Sequence, residues 1–391
     1  MAGIKLIRIT TVYQSIFSLI SGQCKYMGTN GFDVIAVSAG NKSQSEEVEK
    51  KEHVKHHSIP FTRSITPFQD LWCLLKLIIL FYHEKPAIVH THTPKAGLLG
   101  MIAASIMSVP VRIHTMAGLP LMVETGFKRK FLMWIEKITY SCSTEVWPNS
   151  LSGKDFIINH HLVETNKVYV IGKGSSNGIN LSKFSKKNLD PEKLNLIKNN
   201  INFQTKSFYL IAIGRMVKDK GINELIQTFS NLQHLHSDLK LILIGPLEQK
   251  LDPLHKETLH QIHHNESITY IPWSDDVEYY LSFSNLLVHA SHREGFPNVL
   301  LQAGAMQCPI LCSDIPGNTD ILPNTSFGLH FTTGNVVAMQ QNITFAIENK
   351  NELIFRAQNL HQRIIINFEQ KQIHLLIKKK YVQLLTDKKN Y

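Results

Sequence analysis

Two segments of this sequence place charged side chains and glycines at spacings suited to gripping a phosphorylated sugar. In HASHREGFPNVLLQAGAMQCPILCSDIPG, residues 289–317, the run NLLVHAS reads as a strand that ends in a loop carrying Glu294, Gly295 and Phe296. Pro297 and Asn298 suit the start of a helix that continues through Gln302. A carboxylate in such a loop accepts hydrogen bonds from sugar hydroxyls, and backbone N–H groups at a helix start bind an anion such as phosphate. The plainer reading is that Glu294 caps the helix and Gly295 permits a tight turn.

In FYLIAIGRMVKDKGINELIQTF, residues 208–229, a strand runs into Gly214 and Arg215, then Lys220 and Gly221, with a helix beginning near Ile222. Two permanent cations at the mouth of a strand-loop-helix suit a diphosphate. They stabilise the charge that develops on a departing nucleoside diphosphate without a covalent partner. Taken alone, the same loop is also compatible with a solvated surface.

The N-terminal half supplies histidines at strand ends. VHTHTPKAG (residues 89–97) carries His92 and Lys95, and RIHTMAG (residues 112–118) carries His114 and Gly118. An HxH pair on a strand puts both rings on one face, as a metal site needs, but no third ligand is apparent, and packed or loop-stabilising histidines are the alternative. The tandem histidines at 56–57, 160–161 and 263–264 carry no spacing signal and read as surface.

The elements that must position these residues alternate. KLIRIT, DVIAVS, AIVHT, VRIHT, TEVW and KVYVI precede residue 172, separated by helix-like stretches. They are apolar throughout, as parallel strands buried on both faces should be. Residues 172–206 turn polar and mark a boundary, after which FYLIAIG, LKLILIG, ITYI, NLLVHAS, PILCS and FGLHF form a second series. We expect a domain over 1–172, a second over 173–369, and a C-terminal helix at about 370–391 able to pack back on the first. Two open α/β sheets each bind ligands beyond their carboxyl strand ends, so a cleft between them is the expected site.

Bulk properties agree with packed domains: 391 residues, 43% apolar and 18% charged. The net charge of +10 favours anionic partners, but no nucleic-acid module is readable, so nucleic acid is not an expected partner. The cysteines at 24, 73, 142, 308 and 312 are odd in number and widely spread, which suggests neither a disulfide framework nor zinc. The N-terminus reads as a first strand, not a leader, and the reading is of a cytoplasmic protein. Leu71 to Tyr82 (LWCLLKLIILFY) is interrupted by Lys76 and falls short of the ~20 residues that span a bilayer.

The 289–317 segment resembles the signature of glycosyltransferase family 4: Glu, Gly, Phe-Pro and a second acid eight positions after the first. Position 302 departs from it, with Gln302 in place of the acid that clamps the donor ribose in the family. The GRxxxxKG element resembles the family's Arg/Lys pair, and His114 matches a histidine held near the donor sugar. The glycine-rich loop usual after strand one is absent: ITTVYQSIFSLISG brings Gly22 too late.

The resemblance implies a GT-B fold, two Rossmann-like domains with parallel sheets facing across a cleft. It implies retaining transfer of a hexose or N-acetylhexosamine from a nucleoside-diphosphate sugar, uridine being the usual nucleotide, with no cofactor and no metal required. It assigns catalysis to His114, Arg215, Lys220 and Glu294. Donor binding falls to Gly214, Arg215, Lys220, Glu294, Gly295, Phe296, Pro297, Asn298 and Gln302, and the acceptor side to His92, Lys95 and Gly118.

AGLPLMVETGFKR is similar to enzymes that extend polyprenyl-diphosphate-linked sugars in surface-polysaccharide or lipopolysaccharide assembly, which implies a lipid-linked acceptor at the inner face of the bacterial cytoplasmic membrane. GFKRKFLMWIEKI (residues 126–138) spaces Phe127, Phe131, Trp134, Ile135 and Ile138 along one helical face among basic residues, and reads either as an interfacial helix or as one packed on the sheet. A nucleotide-sugar epimerase and a non-catalytic nucleotide-sugar-binding subunit are the alternatives.

Overall fold

The computed structural model describes residues 3–118, 125–250 and 252–389. Residues 119–124 of the AGLPLMVETGFKR stretch therefore lie outside the described residues.

The chain forms two compact units. The first comprises residues 1–178 and 370–391, and the second 179–369. In the first, β1 (Ile4–Val12), α1 (Gln14–Leu19), α2 (Gln23–Gly28), β2 (Phe32–Ala39), α3 (Lys42–Glu52) and β3 (Lys55–Ser58) come first. Then α4 (Pro67–Glu84), β4 (Ile88–Thr91), α5 (Pro94–Ile106), β5 (Val111–Met116), α6 (Gly126–Cys142), β6 (Glu145–Pro148) and α7 (Leu151–Asn159) follow. The second unit opens with α8 (Pro191–Asn200), β7 (Phe208–Ile213), α9 (Ile222–Gln233), β8 (Leu239–Ile244), α10 (Lys256–His264), β9 (Ile268–Ile271) and α11 (Val277–Phe283). It continues with β10 (Leu286–His289), α12 (Asn298–Ala305), β11 (Ile310–Ser313), α13 (Asn318–Ile321), β12 (Leu329–Phe331), α14 (Val336–Glu348) and α15 (Lys350–Phe368). The last helix, α16 (Gln370–Lys389), belongs to the first unit.

Each unit carries one six-stranded sheet, ordered β3-β2-β1-β4-β5-β6 and β12-β11-β10-β7-β8-β9. Pairing is parallel throughout, as the runs of consecutive apolar residues require. Counted within its own unit, each sheet has the doubly wound order 3-2-1-4-5-6, which reverses direction between its first and fourth strands. Chain leaves that point in opposite senses, opening a crevice beyond the strand ends. In the first unit α4 and α5 cover one face of the sheet, while α1, α2, α3 and α16 cover the other. Ile373, Ile377 and Tyr381 of α16 are buried in that second layer.

Two sequence expectations fail locally. KVYVI is not a strand: Val168 makes only an isolated bridge to Val146, because the sheet already ends at β6. Conversely, β3 is built from KHHS, a polar edge strand whose His56 lies 2.8 Å from Ser38 Oγ and 2.9 Å from Ser45 Oγ. An edge strand faces solvent on one side and lacks the apolar run that reveals central strands. The first unit also extends past the composition break at Gly172, because Ser175 N donates to Asn149 O (2.7 Å) and Gln23 Nε2 to Ser176 O (2.6 Å).

Candidate active site of the second unit

The loops after β7 and β10 leave the sheet at its direction change, and backbone contacts tie them together. Gly221 adopts φ 66°, and a Cβ there would sit 2.1 Å from Ala290 O. Only glycine allows both the left-handed conformation and this approach. His292 N donates to Asp219 O (2.9 Å), and Arg293 Nε donates to the Asp219 carboxylate (3.0 Å). These bonds fix the position of Lys220 relative to Glu294.

Lys220 Nζ lies 2.5 Å from Glu294 Oε1 and donates to Ser291 Oγ at 3.3 Å. His289 Nε2 is 3.1 Å from the same carboxylate oxygen. Burial alone would push the Glu294 carboxyl up, but the neighbouring His289 and Lys220 outweigh it and hold it down at about 2. Glu294 is thus a fixed anion at neutral pH, with a cation and an imidazole beside it. Arg215, the second cation, pairs with Glu248 at 2.9 Å. Both cations are held by carboxylates, so an incoming anion exchanges for a carboxylate instead of entering an unbalanced positive site.

A pocket of about 240 Å³ opens here, lined by Gly214, Arg215, Lys220, His289, Glu294 and the start of α12 at Pro297, Asn298 and Val299. The helix start points the positive end of its backbone dipoles at the same space as the two cations. Gly295 lies in a close-packed turn, where a Cβ on Gly317 would fall 2.7 Å from Gly295 O. Phe296 is different: it is buried, with its ring 5.4 Å from that of Phe368. Its side chain anchors the loop in the core and is not available to a ligand. Gln302 is half-buried on α12 and does not line the pocket.

His90, His92 and His114 of the first unit have protein partners. His114 is 3% exposed, its Nδ1 lies 2.8 Å from Thr91 Oγ1, and burial lowers its pKa to about 4, so it is neutral. A Cβ on Gly97 would fall 2.3 Å from its ring. His92 is buried and accepts from Arg8 Nε (3.0 Å). Its neighbour His90, ring centroids 4.1 Å apart, meets Tyr381 OH and Thr115 Oγ1. The HxH pair shares a face as expected, and that face is a packed polar core. Lys95, expected on the acceptor side, bonds to Asp70 Oδ1 (2.6 Å), Thr62 Oγ1 (2.9 Å) and Ser64 O. It clamps the turn before α4. Gly118 follows β5 at φ 138°.

Four functional candidates escaped sequence reading. His289 hides as the last residue of an apolar strand, Ser291 lies inside the 289–317 segment but carries no charge to single it out, and Glu248 lies in a loop without a motif. Arg8 is buried in β1 and donates to His92 and Gln23, with Nη1 unpartnered among the described residues. For His289 a signal existed: it sits five residues before Glu294, where a strand end and its following loop converge.

Comparison with known proteins follows the same division. Residues 195–371 match the family described as "Glycosyl transferases group 1", and residues 12–150 match "Glycosyl transferase 4-like". The chain is 36% identical to the capsular polysaccharide biosynthesis glycosyltransferase CapM of Staphylococcus aureus, over 89% of this chain and 88% of the relative. It is 26% identical to the UDP-Gal:alpha-D-GlcNAc-diphosphoundecaprenol alpha-1,3-galactosyltransferase of Escherichia coli, over 83% of each. Among solved structures, Anabaena Alr3699/HepE in complex with UDP and glucose superposes with a TM-score of 0.79 at 15% identity, covering 97% of this chain and 100% of that one.

Proposed function

We propose that this chain, which belongs to the group 1 glycosyltransferases, moves a hexose or N-acetylhexosamine from a UDP-sugar to a polyprenyl-diphosphate-linked glycan at a membrane surface, with retention at the anomeric carbon. The observation that carries this reading is the Lys220–Glu294 contact inside a pocket at the sheet's direction change. A sugar nucleotide presents two groups there, a diphosphate and a ring of hydroxyls, and the pocket presents two cations and a carboxylate.

Donor binding draws Lys220 and Arg215 from their carboxylates onto the diphosphate. Glu294, still beside His289, then accepts from the sugar hydroxyls. The acceptor hydroxyl attacks C1 on the face the nucleotide leaves. As the new C1–O bond forms, the C1–O bond to the β-phosphate breaks, and the hydroxyl proton passes to the departing phosphate oxygen. Lys220 and Arg215 stabilise the charge that builds on that oxygen. Gly214, Gly295, Pro297 and Asn298 shape the donor site, and Gln302, which lies outside the pocket, is a ribose ligand only if the nucleoside extends beyond the pocket along α12, where its amide would give one neutral acceptor.

The acceptor belongs in this reading to the first unit, with His114 as a neutral imidazole and Gly118 nearby in sequence. In this reading His92 and Lys95 are not placed on the acceptor: Lys95 is held by Asp70, and His92 is buried with Nε2 on Arg8 and Nδ1 without a partner among the described residues. The lipid-linked acceptor is supported by the curated relatives, whose names include a diphosphoundecaprenol-linked substrate. Among the described residues no helix is long and apolar enough to cross a membrane, so contact with lipid falls to surface helices, α6 among them.

Purified protein incubated with a panel of nucleotide sugars, with and without a polyprenyl-diphosphate sugar, tests the proposal. Release of UDP from one donor, strongly stimulated by the lipid, supports it. Donor binding without turnover would point to a non-catalytic subunit, and isomerised sugar without acceptor to an epimerase.

A further inference from the structure

Helix α4 is apolar around most of its circumference, the exception being a narrow strip where Gln69, Lys76 and His83 align every second turn. Its inner side chains Cys73, Leu77, Leu80 and Phe81 are buried against the sheet. Its outer row, Phe68, Leu71, Trp72, Leu75, Ile79 and Tyr82, repeats every three or four residues and is exposed, Phe68 at 92% and Trp72 at 53%. A soluble surface rarely carries an exposed apolar stripe of this kind, which from Phe68 to Tyr82 runs roughly 21 Å along the helix.

The surroundings identify the cover. Helix α5 packs against both α4 and α6, so the three form one layer. On α6, Phe127, Phe131 and Trp134 repeat the pattern, Trp134 being 60% exposed. Acids in this layer are paired or buried among the described residues: Asp70 bonds Lys95, Glu84 bonds Lys5, and Glu136 is 7% exposed. Bases remain around the stripe. Arg63 and Lys85 are exposed at its two ends, and Lys76 Nζ stands 5.2 Å from the Trp72 ring centroid. Aromatic side chains at the rim of an apolar face, bases around it and no unpaired acid are the chemistry of a bilayer interface with anionic headgroups. A protein partner would call for charges of both signs.

We propose that the outer face of α4, continued by α6, is the surface by which this chain docks on an anionic lipid bilayer. The choice of a bilayer rests on the lipid-linked reading above and gives it a named contact surface.

The test uses the full chain without donor, floated with phosphatidylcholine vesicles with and without phosphatidylglycerol, alongside Trp72→Ser/Leu75→Ser/Ile79→Ser. Circular dichroism checks the fold, and Phe68→Ser alone serves as a milder variant. UDP release on a detergent-dispersed acceptor is assayed in parallel. The wild type is expected to bind vesicles containing phosphatidylglycerol, with the triple variant weakened roughly a hundredfold or more and detergent turnover unchanged. Quenching of Trp72 by brominated acyl chains should accompany binding and be absent when the wild type is mixed with unbrominated vesicles.

A folded triple variant that floats like the wild type overturns the proposal. So does a wild type that dimerises through this face, with sedimentation reduced to monomer by the triple substitution and no vesicle binding. Turnover in detergent without flotation defeats the docking face alone; absence of both defeats the transfer reading as well.

Discussion

Lys220 Nζ and Glu294 Oε1, 74 positions apart in sequence, lie 2.5 Å apart beside His289. Each is the other's ligand until a substrate arrives. In the proposed donor complex a sugar diphosphate offers both of them new partners at once, the phosphate for the ammonium and the hydroxyls for the carboxylate. On that proposal binding replaces one charge-assisted pair by two, and neither charge is left buried alone.

In the proposed donor complex His289 is what remains with Glu294 once Lys220 is on phosphate. His289→Ala is expected to raise the donor KM about tenfold with a smaller change in kcat. The acid limb of kcat/KM should move upward, because Glu294 loses one of the two partners that hold its carboxyl at about 2. His289→Gln, whose amide N–H can still donate, should recover much of the affinity. Unchanged pH dependence in His289→Ala would remove it from the site.

Acid should loosen the first unit before the second. Burial lowers the pKa of His90 and His92 well below 6.5, and of His114 and His374 to about 4. Between roughly pH 6.5 and 4 the unfolded chain binds protons that the folded unit refuses, so stability falls with pH across that window. Burial raises Glu136 to about 7 and also raises Glu52, which opposes the trend over part of the same range. The net slope is about 1.4 kcal/mol per pH unit for each histidine in excess. Glu294 behaves differently: its stabilisation is full above about pH 4.5 and is lost only as pH falls toward 2. Calorimetry at pH 7 and 5 should show the first unit's transition shifting down more than the second's; equal shifts would contradict this.

Gly221 holds the two loops together. Gly221→Ala puts a methyl against Ala290 O in a left-handed backbone and should lower the second unit's melting temperature by roughly 5 °C or more. Gly126→Ala, at φ 61° with nothing within 4 Å of its Cβ, carries the backbone strain alone and should cost less. Equal costs would show that the close approach to Ala290 is not what demands glycine.

Much of the fold was legible because parallel strands are apolar runs: β1, β2, β4, β5, β6 and the strands of the second sheet all coincide with them. β3 was not, since KHHS at an edge has no such run. The two motif loops were legible as loops, but their contact depends on the Gly221–Ala290 approach, which sequence spacing does not express. His289 was masked by its strand. Lys95 follows β4 as an acceptor ligand would, yet its bonds to Asp70 and Thr62 depend on a turn thirty positions away in the chain. In LWCLLKLIILFY composition gave length and polarity, enough to exclude a span, but a helix apolar around most of its circumference does not reveal in its sequence which side the fold leaves open.

The most direct test of the account compares donor turnover and donor affinity in wild type and Lys220→Ala, using UDP release from the preferred donor with a polyprenyl-diphosphate sugar present. Lys220→Ala is expected to fold and to lose about a hundredfold or more in kcat, with donor affinity falling less, because the charge on the departing diphosphate is greatest in the transition state. A folded Lys220→Ala protein with wild-type kcat would contradict it.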